Sequence, residues 1–322
     1  KGMKVLVTGA TGLVGSEIVN LCKQNNISVN YLTTSKHKIV SQTGYNGFYW
    51  NPNKNEIDVE CFKGVSAIIN LAGSSISARW TKKNKKKILK SRVDSLRTLL
   101  GAIPKDGSHS IKTLVSASAI GIYPNSLSQY YKEDEVKVDD SFLGEVVSIW
   151  EKEVDAFEKI NIKTAKIRIG LVMSNKGGAL PAMAKPIKYY FGAAMGSGNQ
   201  WQSWIHLHDL GRIFLYVLTR ELTGIYNGVA PNPVTNVKLT KELARVLDRP
   251  LFFPNIPEPL MGLVLGKMAY LLFVSQRVSS KKIEDSGFDF IYPNICRALE
   301  NIYRDKGEHA TEDALYRSEF IS

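Results

Sequence analysis

Cysteine is scarce in this 322-residue chain: Cys22, Cys61 and Cys296 are odd in number and far apart. That argues against a disulfide framework or a four-cysteine zinc site and favours a reducing, cytoplasmic setting. No apolar run reaches the roughly 20 residues of a membrane span. The longest, 260–274, carries Lys267 in its middle and reads as a buried or amphipathic helix, so no membrane partner is expected. No signal-peptide pattern is visible before the first Thr-Gly turn. Repeats and low-complexity tracts are also missing. What is present is 44% apolar and 22% charged residues, the balance of a globular chain and not of a disordered one.

The formal charge is +12, but it is unevenly spread. Between Arg79 and Arg97 stand nine Lys and Arg against Asp94 alone, so one segment supplies +8 of the total. It opens a helix over 81–103 whose Leu89, Val93, Leu96, Leu100 and Ile103 form a single stripe that the lysines mostly avoid. A solvated face is therefore favoured over a nucleic-acid surface, and polyanion binding is the weakest functional reading. A lysine coat also opposes symmetric packing of that helix, which favours a monomer over a homodimer.

Short apolar runs at 4–8, 28–33, 65–71, 111–117 and 163–172 read as strands, and they alternate with helical patterns, the last of these over 142–160. The alternation predicts an α/β fold, a Rossmann-type doubly wound parallel sheet. After Val172 the texture turns to Gly-, Pro- and aromatic-rich loops. The expected layout is a dinucleotide-binding domain over 1–172, with elements of 200–229 added, a smaller C-terminal α+β substrate lobe over 173–304 and a flexible tail over 305–322. Asp209 could cap a helix within the lobe.

Gly9-Ala10-Thr11-Gly12-Leu13-Val14-Gly15 joins the first strand to the first helix. Gly9 suits the tight turn, Gly12 the approach of a pyrophosphate, and Gly15 close helix–sheet packing. At the end of the second strand, Thr33-Thr34-Ser35-Lys36-His37-Lys38 offers hydroxyls and cations and no carboxylate. Thr34, Ser35 and Lys36 are thus candidates for a ribose 2′-phosphate, and NADP (NADPH) is favoured over NAD.

Those glycines, Asn70-Leu71-Ala72-Gly73 and Ser116-Ala117-Ser118 resemble the extended short-chain dehydrogenase/reductases, which include nucleotide-sugar epimerases. More narrowly, Ser91-Arg92-Val93, Trp150-Glu151, Gly177-Gly178-Ala179-Leu180-Pro181, Trp204-Ile205-His206 and Gln276-Arg277-Val278 resemble an atypical epimerase-like subfamily, described as NAD-dependent epimerase/dehydratases, over 3–303. The resemblance implies a cofactor groove of Gly9, Thr11, Gly12, Leu13, Gly15, Leu71, Ala72, Gly73, Ser116, Lys152 and Arg168. It also breaks at one point. The superfamily pairs a Tyr with a Lys four residues later, and none of the 14 tyrosines here has that partner.

In the helix expected to carry the pair, Ser148 and Lys152 stand at the two positions, so Lys152 could hold the nicotinamide ribose while serine cannot replace a phenol. Ser118 is the candidate for orienting a substrate oxygen, and Tyr123 or His206 for the acid–base group. Arg79, Arg277, Trp201 and Trp204 are candidates for contacting substrate, with Arg168 a further anion clamp or a structural pair. His206 and His208 lie two apart, but no third ligand accompanies them, so no metal is expected. Two functions follow. One is an NADP-binding oxidoreductase or epimerase-like enzyme moving hydride on a small polar substrate such as a nucleotide sugar. The other is a non-catalytic NADP(H)-sensing regulatory protein.

Overall fold

Near-continuous apolar runs mark strands buried on both faces. The first, β1 (Lys4–Thr8), lies mid-sheet with Val5, Leu6 and Val7 fully buried. The structure, a computed structural model, describes residues 2–73, 80–265 and 268–305. Beside β1 stand β2 (Ser28–Thr33) and β3 (Tyr45–Asn51) on one side. On the other side come β4 (Ala67–Asn70), β5 (Thr113–Ala119) and β6 (Lys163–Ile169). All these pairings are parallel. Two short antiparallel strands, Ser41–Gln42 and Glu56–Ile57, pair with β3. The sheet is the doubly wound Rossmann type that the alternation predicts.

Helices α1 (Leu13–Gln24), α2 (Lys82–Ala102) and α3 (Phe142–Asp155) make the first crossovers. Because strands run outward from β1 in both directions, right-handed crossovers place α1 on one face and α2 and α3 on the other. Lys82, Lys83, Lys86, Lys87 and Lys90 of α2 are exposed, while Ile88, Leu96 and Leu99 are buried. The reversal of strand order between β1 and β4 opens a crevice at the carboxyl ends of both strands.

The strand expected over 163–172 is divided at Gly170. Leu171 N leaves the main sheet to bond Ser203 O at 2.8 Å, and β7 (Leu171–Met173) pairs with β8 (Trp204–His206). A Cβ at Gly170 would stand 2.5 Å from Ser203 O, so only glycine allows the hand-over from sheet to lobe. The lobe has its own apolar cluster, including Met173, Leu180, Trp204, Leu239, Leu272 and Leu299. The helices beyond β6 include α4 (Ala179–Lys188), α5 (Leu207–Thr219), whose buried residues join the core of the sheet, α6 (Asn236–Val246), α7 (Glu258–Leu265), α8 (Met268–Phe273) and, near the end, α9 (Ile295–Tyr303). Helix α5 returns to pack on α1 and leads to β9 (Gly224–Gly228), the outer partner of β6. Among the described residues no helix is long and apolar enough to cross a membrane.

Asp209 does not cap α5. His206 does, its Nδ1 accepting from His208 N at 3.0 Å, while Asp209 lies fully buried in the first turn. Its carboxylate pairs with Arg212 at 2.9 Å and accepts from Ile291 N and Tyr292 N at 3.1 and 2.8 Å. This one carboxylate ties the C-terminal segment to α5. Asp209→Asn is expected to lose about 3–5 kcal/mol, read as a lower urea midpoint at unchanged slope; an unchanged midpoint would show the tie to be idle.

Candidate functional site

The chain leaves β1 through Gly9, whose φ of 71° is left-handed. A Cβ at Gly15 would lie 2.0 Å from Gly9 O, so α1 can start directly behind the turn only with glycine there. Gly12 offers α1 no side-chain cap, and the first turn holds no acidic residue. The backbone N–H groups and the positive end of the helix dipole are thus left for an anion.

A buried chain of polar groups sets the neighbouring strand ends. Thr8 Oγ1 donates to Asn70 Oδ1 at 2.8 Å and accepts from Leu71 N and Ala72 N at 3.0 and 3.1 Å; Asn70 Nδ2 then donates to Ser116 Oγ at 3.1 Å. This brings Leu71 against Gly9, starts Ala72 and Gly73 from the same strand end and sets Ser116 opposite Asn70 in the next strand. Thr11 is exposed at the turn, and Leu13 is half-buried under the Gly177-Gly178 loop, whose added Cβ atoms would touch it at 3.6 Å. With glycine at 9, 12 and 15 and no side-chain cap on α1, these residues fit a dinucleotide pyrophosphate.

Beyond β2, Thr34 and Lys36 are exposed and Ser35 half-buried. Ser35 Oγ lies 2.9 Å from His37 Nδ1, and Lys36 Nζ lies 4.9 Å from the centre of the Tyr49 ring. The rim can take a phosphate, and it has no carboxylate to repel one.

At the ends of β5 and β6 two of the four candidate catalytic residues, Ser118 and Tyr123, meet in a buried network. Ser118 Oγ donates to Glu151 Oε2 at 2.5 Å, and Arg168 Nε and Nη2 donate to the two Glu151 oxygens at 3.0 and 2.9 Å. Arg168 Nη1 donates to the Tyr123 hydroxyl at 3.0 Å, which donates to Asn227 Oδ1 at 2.6 Å. Asn227 in turn donates to Glu133 at 2.9 Å. Ser118, Tyr123, Glu151 and Arg168 are all buried. Burial works against the Arg168 charge, but the hydrogen bonds and charge of Glu151 more than offset it and hold the guanidinium above its usual range. Arg168 therefore serves the pair, which was the structural alternative to a cofactor or anion contact.

Helix α3 turns Val147, Trp150 and Glu151 inward, and Lys152 is exposed. The two positions one turn apart that face the strand ends are thus Val147 and Glu151, and not Ser148 and Lys152. Val147 and Trp150 wall a cavity of about 160 Å³ between sheet and lobe. Ala119 and Gly121 contribute from beyond β5, Ile169 and Leu171 from either side of Gly170, and Trp201 and Gln276 from the lobe. Arg92 of α2 reaches the same cavity, with its guanidinium 4.9 Å from the Trp150 ring centre. A Cβ on Gly73 would come within 3.0 Å of it. Burial lowers Arg92 to about 10, so it is charged at neutral pH.

The other candidates lie elsewhere. Trp201 lines the cavity with Arg277 stacked at 4.5 Å on its ring, but Trp204 is fully buried in the lobe, its Nε1 donating to Asn232 O. His206 is buried against Tyr292, with Nε2 2.9 Å from Asn301 Oδ1, and opens onto a separate polar cavity beside α1. Arg79 falls outside the described residues. Among those described, no group of three or more His, Cys, Asp or Glu could hold a metal. Sequence reasoning passed over Arg92 and Glu151 as site residues, although both stand in quoted motifs, because only their distant partners show which way they point.

Two outcomes test the network. Glu151→Gln strands Arg168 and is expected to cost about 3–5 kcal/mol in urea unfolding; a loss under about 1 kcal/mol would mean the pair is not buried as described. Tyr123 is pushed up to about 12, chiefly by burial. A phenol held neutral in this way contributes stability that is complete below pH 10 and drains as pH rises towards about 12. Urea midpoints of the wild type should therefore fall across that window more steeply than those of Tyr123→Phe.

Compared with known proteins, residues 5–227 match the model of the NAD dependent epimerase/dehydratase family, and 256–302 match a domain of unknown function. The epimerase family protein YfhF of Bacillus subtilis is 35% identical over 305 residues, 94% of this chain and 99% of that protein. A crystal structure of the human epimerase family protein SDR39U1 with NADPH has a TM-score of 0.80 at 26% identity, covering 94% of this chain and all of that one. A nucleoside-diphosphate sugar epimerase from Corynebacterium glutamicum shares the fold at TM-score 0.75 and 24% identity, over this whole chain and 65% of its own.

Proposed function

The chain belongs to the NAD dependent epimerase/dehydratase family, and on that footing we propose that it binds NADP(H) and moves hydride on a small-molecule carbonyl or alcohol. The observation that carries this reading is the glycine cradle at the uncapped start of α1, with a rim beyond β2 that has hydroxyls and a lysine in place of a carboxylate. The human relative's structure with NADPH supports the same cofactor.

When bound, the dinucleotide would supply or accept hydride. The chain's own residues would do the rest. Gly9, Gly12 and the first N–H groups of α1 take the pyrophosphate; Thr34, Ser35 and Lys36 take the 2′-phosphate; Leu71, Ala72, Gly73 and Ser116 line the groove. Ser118 acts through Glu151 as a positioning residue, because its hydroxyl hydrogen is already engaged in a hydrogen bond to that carboxylate.

NADPH is expected to bind at least about tenfold tighter than NADH, equivalent to about 1.4 kcal/mol, in a fluorescence titration. Lys36→Glu should erase that difference and leave NADH binding unchanged. Equal dissociation constants in the wild type would remove the NADP preference, and failure to bind either nucleotide would remove the reading itself.

A further inference from the structure

The cavity under Trp150 and Trp201 carries information about what enters it. Its walls are apolar: Leu143, Val147, Trp150, Leu171, Trp201 and Val274 face it. Three of the side-chain donors in its lining are already committed to backbone carbonyls. Gln276 Nε2 donates to Ile120 O at 3.1 Å and Tyr123 O at 2.8 Å, Gln202 Nε2 to Leu272 O at 3.0 Å, and Ser203 Oγ to Gln276 O at 2.8 Å. A sugar with several hydroxyls entering here would lose water against walls that are mostly apolar. The size agrees with the lining. At about 160 Å³ the space matches the apolar cavity of roughly 150 Å³ that takes a benzene-sized ring, so the group held within it is about that size. Arg92, half-buried and with Nη1 donating to Ile88 O at 3.1 Å, brings a cation to this wall between Trp150 and Gly73.

We propose that the pocket selects a compound with one planar apolar group, a carbonyl and a single carboxylate, the carboxylate being held by Arg92. The inference rests on the NADP(H) reading above and replaces the expectation of a polar, nucleotide-sugar substrate. A 2-oxo acid with an aromatic side chain has this chemistry. Its reduction balances with NADPH and water. Hydride forms the new C–H bond at the carbonyl carbon as the C=O π pair moves to oxygen; water protonates that oxygen and leaves hydroxide; NADPH becomes NADP⁺; and the product is the 2-hydroxy acid.

The test uses the full chain saturated with NADP⁺, titrated by calorimetry with phenylpyruvate, with the neutral ketone phenylacetone and with UDP-glucose. Phenylpyruvate is expected to bind at least about tenfold tighter than either of the others. Arg92→Met should bring phenylpyruvate to the level of the ketone, and Arg92→Lys, which keeps a cation, should retain part of the difference. With NADPH in place of NADP⁺, phenylpyruvate should give phenyllactate with matching loss of NADPH absorbance. Tighter binding of UDP-glucose, equal binding of acid and ketone, or displacement of the nucleotide by the acid overturns the proposal. Absence of nucleotide binding defeats the cofactor reading separately. The same ranking of ligands is then required of the protein alone, and its failure there overturns the pocket inference too.

Discussion

The buried pair between Glu151 and Arg168 sets the geometry of everything around it. Glu151 belongs to α3, Arg168 to β6, and Ser118 of β5 adds its hydroxyl to the same carboxylate. With both oxygens engaged, the helix cannot roll or slide without leaving a charge stranded in a region shielded from water. Its rotation is therefore fixed. At about 3.6 residues per turn, an inward Glu151 requires an inward Val147 and turns Lys152 towards solvent. The apolar wall of the cavity is a consequence of that rotation, and so is the lack of any phenol–lysine pair on the inner face of the helix.

The pair also explains why the cleft lies where it does. β6 carries Arg168, ends at Ile169, and one glycine later the chain has crossed into the lobe strand β7. The residues on either side of Gly170 thus belong to both layers, and the lobe residues Trp201, Gln202 and Ser203 are brought over the strand ends by the Leu171–Ser203 backbone bond. Gln276 closes the far side by donating to Ile120 O and Tyr123 O, the loop that follows β5. Sheet and lobe are stitched through backbone carbonyls, and this consumes the polar groups that a hydrophilic ligand would need.

What was legible in the sequence was local. The β1–turn–α1 unit is written in seven consecutive residues, and the parallel sheet follows from alternating periodicities. Strand β3 was not legible, because Tyr-Asn-Gly-Phe-Tyr-Trp-Asn neither alternates nor forms an apolar run; its place is set by pairing with β2 and by Tyr45 stacking on Tyr31. The helix over 142–160 was legible as a helix but not in its rotation. Spacing alone favoured Ser148 and Lys152, whereas the rotation is decided by Arg168, 17 residues downstream of Glu151, and Ser118, 33 upstream. His206 and Asp209 show the same limit. One caps α5, the other anchors a segment some 80 residues away, and neither partnership leaves a mark on the residues nearby.

A site built this way asks its substrate to bring its own activation. Tyr123 is buried, raised towards about 12 and committed to Asn227, so it is a poor proton donor at neutral pH. Ser118 spends its hydroxyl hydrogen on a hydrogen bond to Glu151. On the proposed reading, hydride then goes to a carbon that is already electron-poor, as the carbonyl carbon of a 2-oxo acid is, and the oxygen takes its proton from water at the mouth of the cleft. Arg92 gains weight in the same setting, because one positive charge against apolar walls acts through a low local dielectric. The features that remove the ordinary acid from this cleft are the features that place Arg92 against apolar walls.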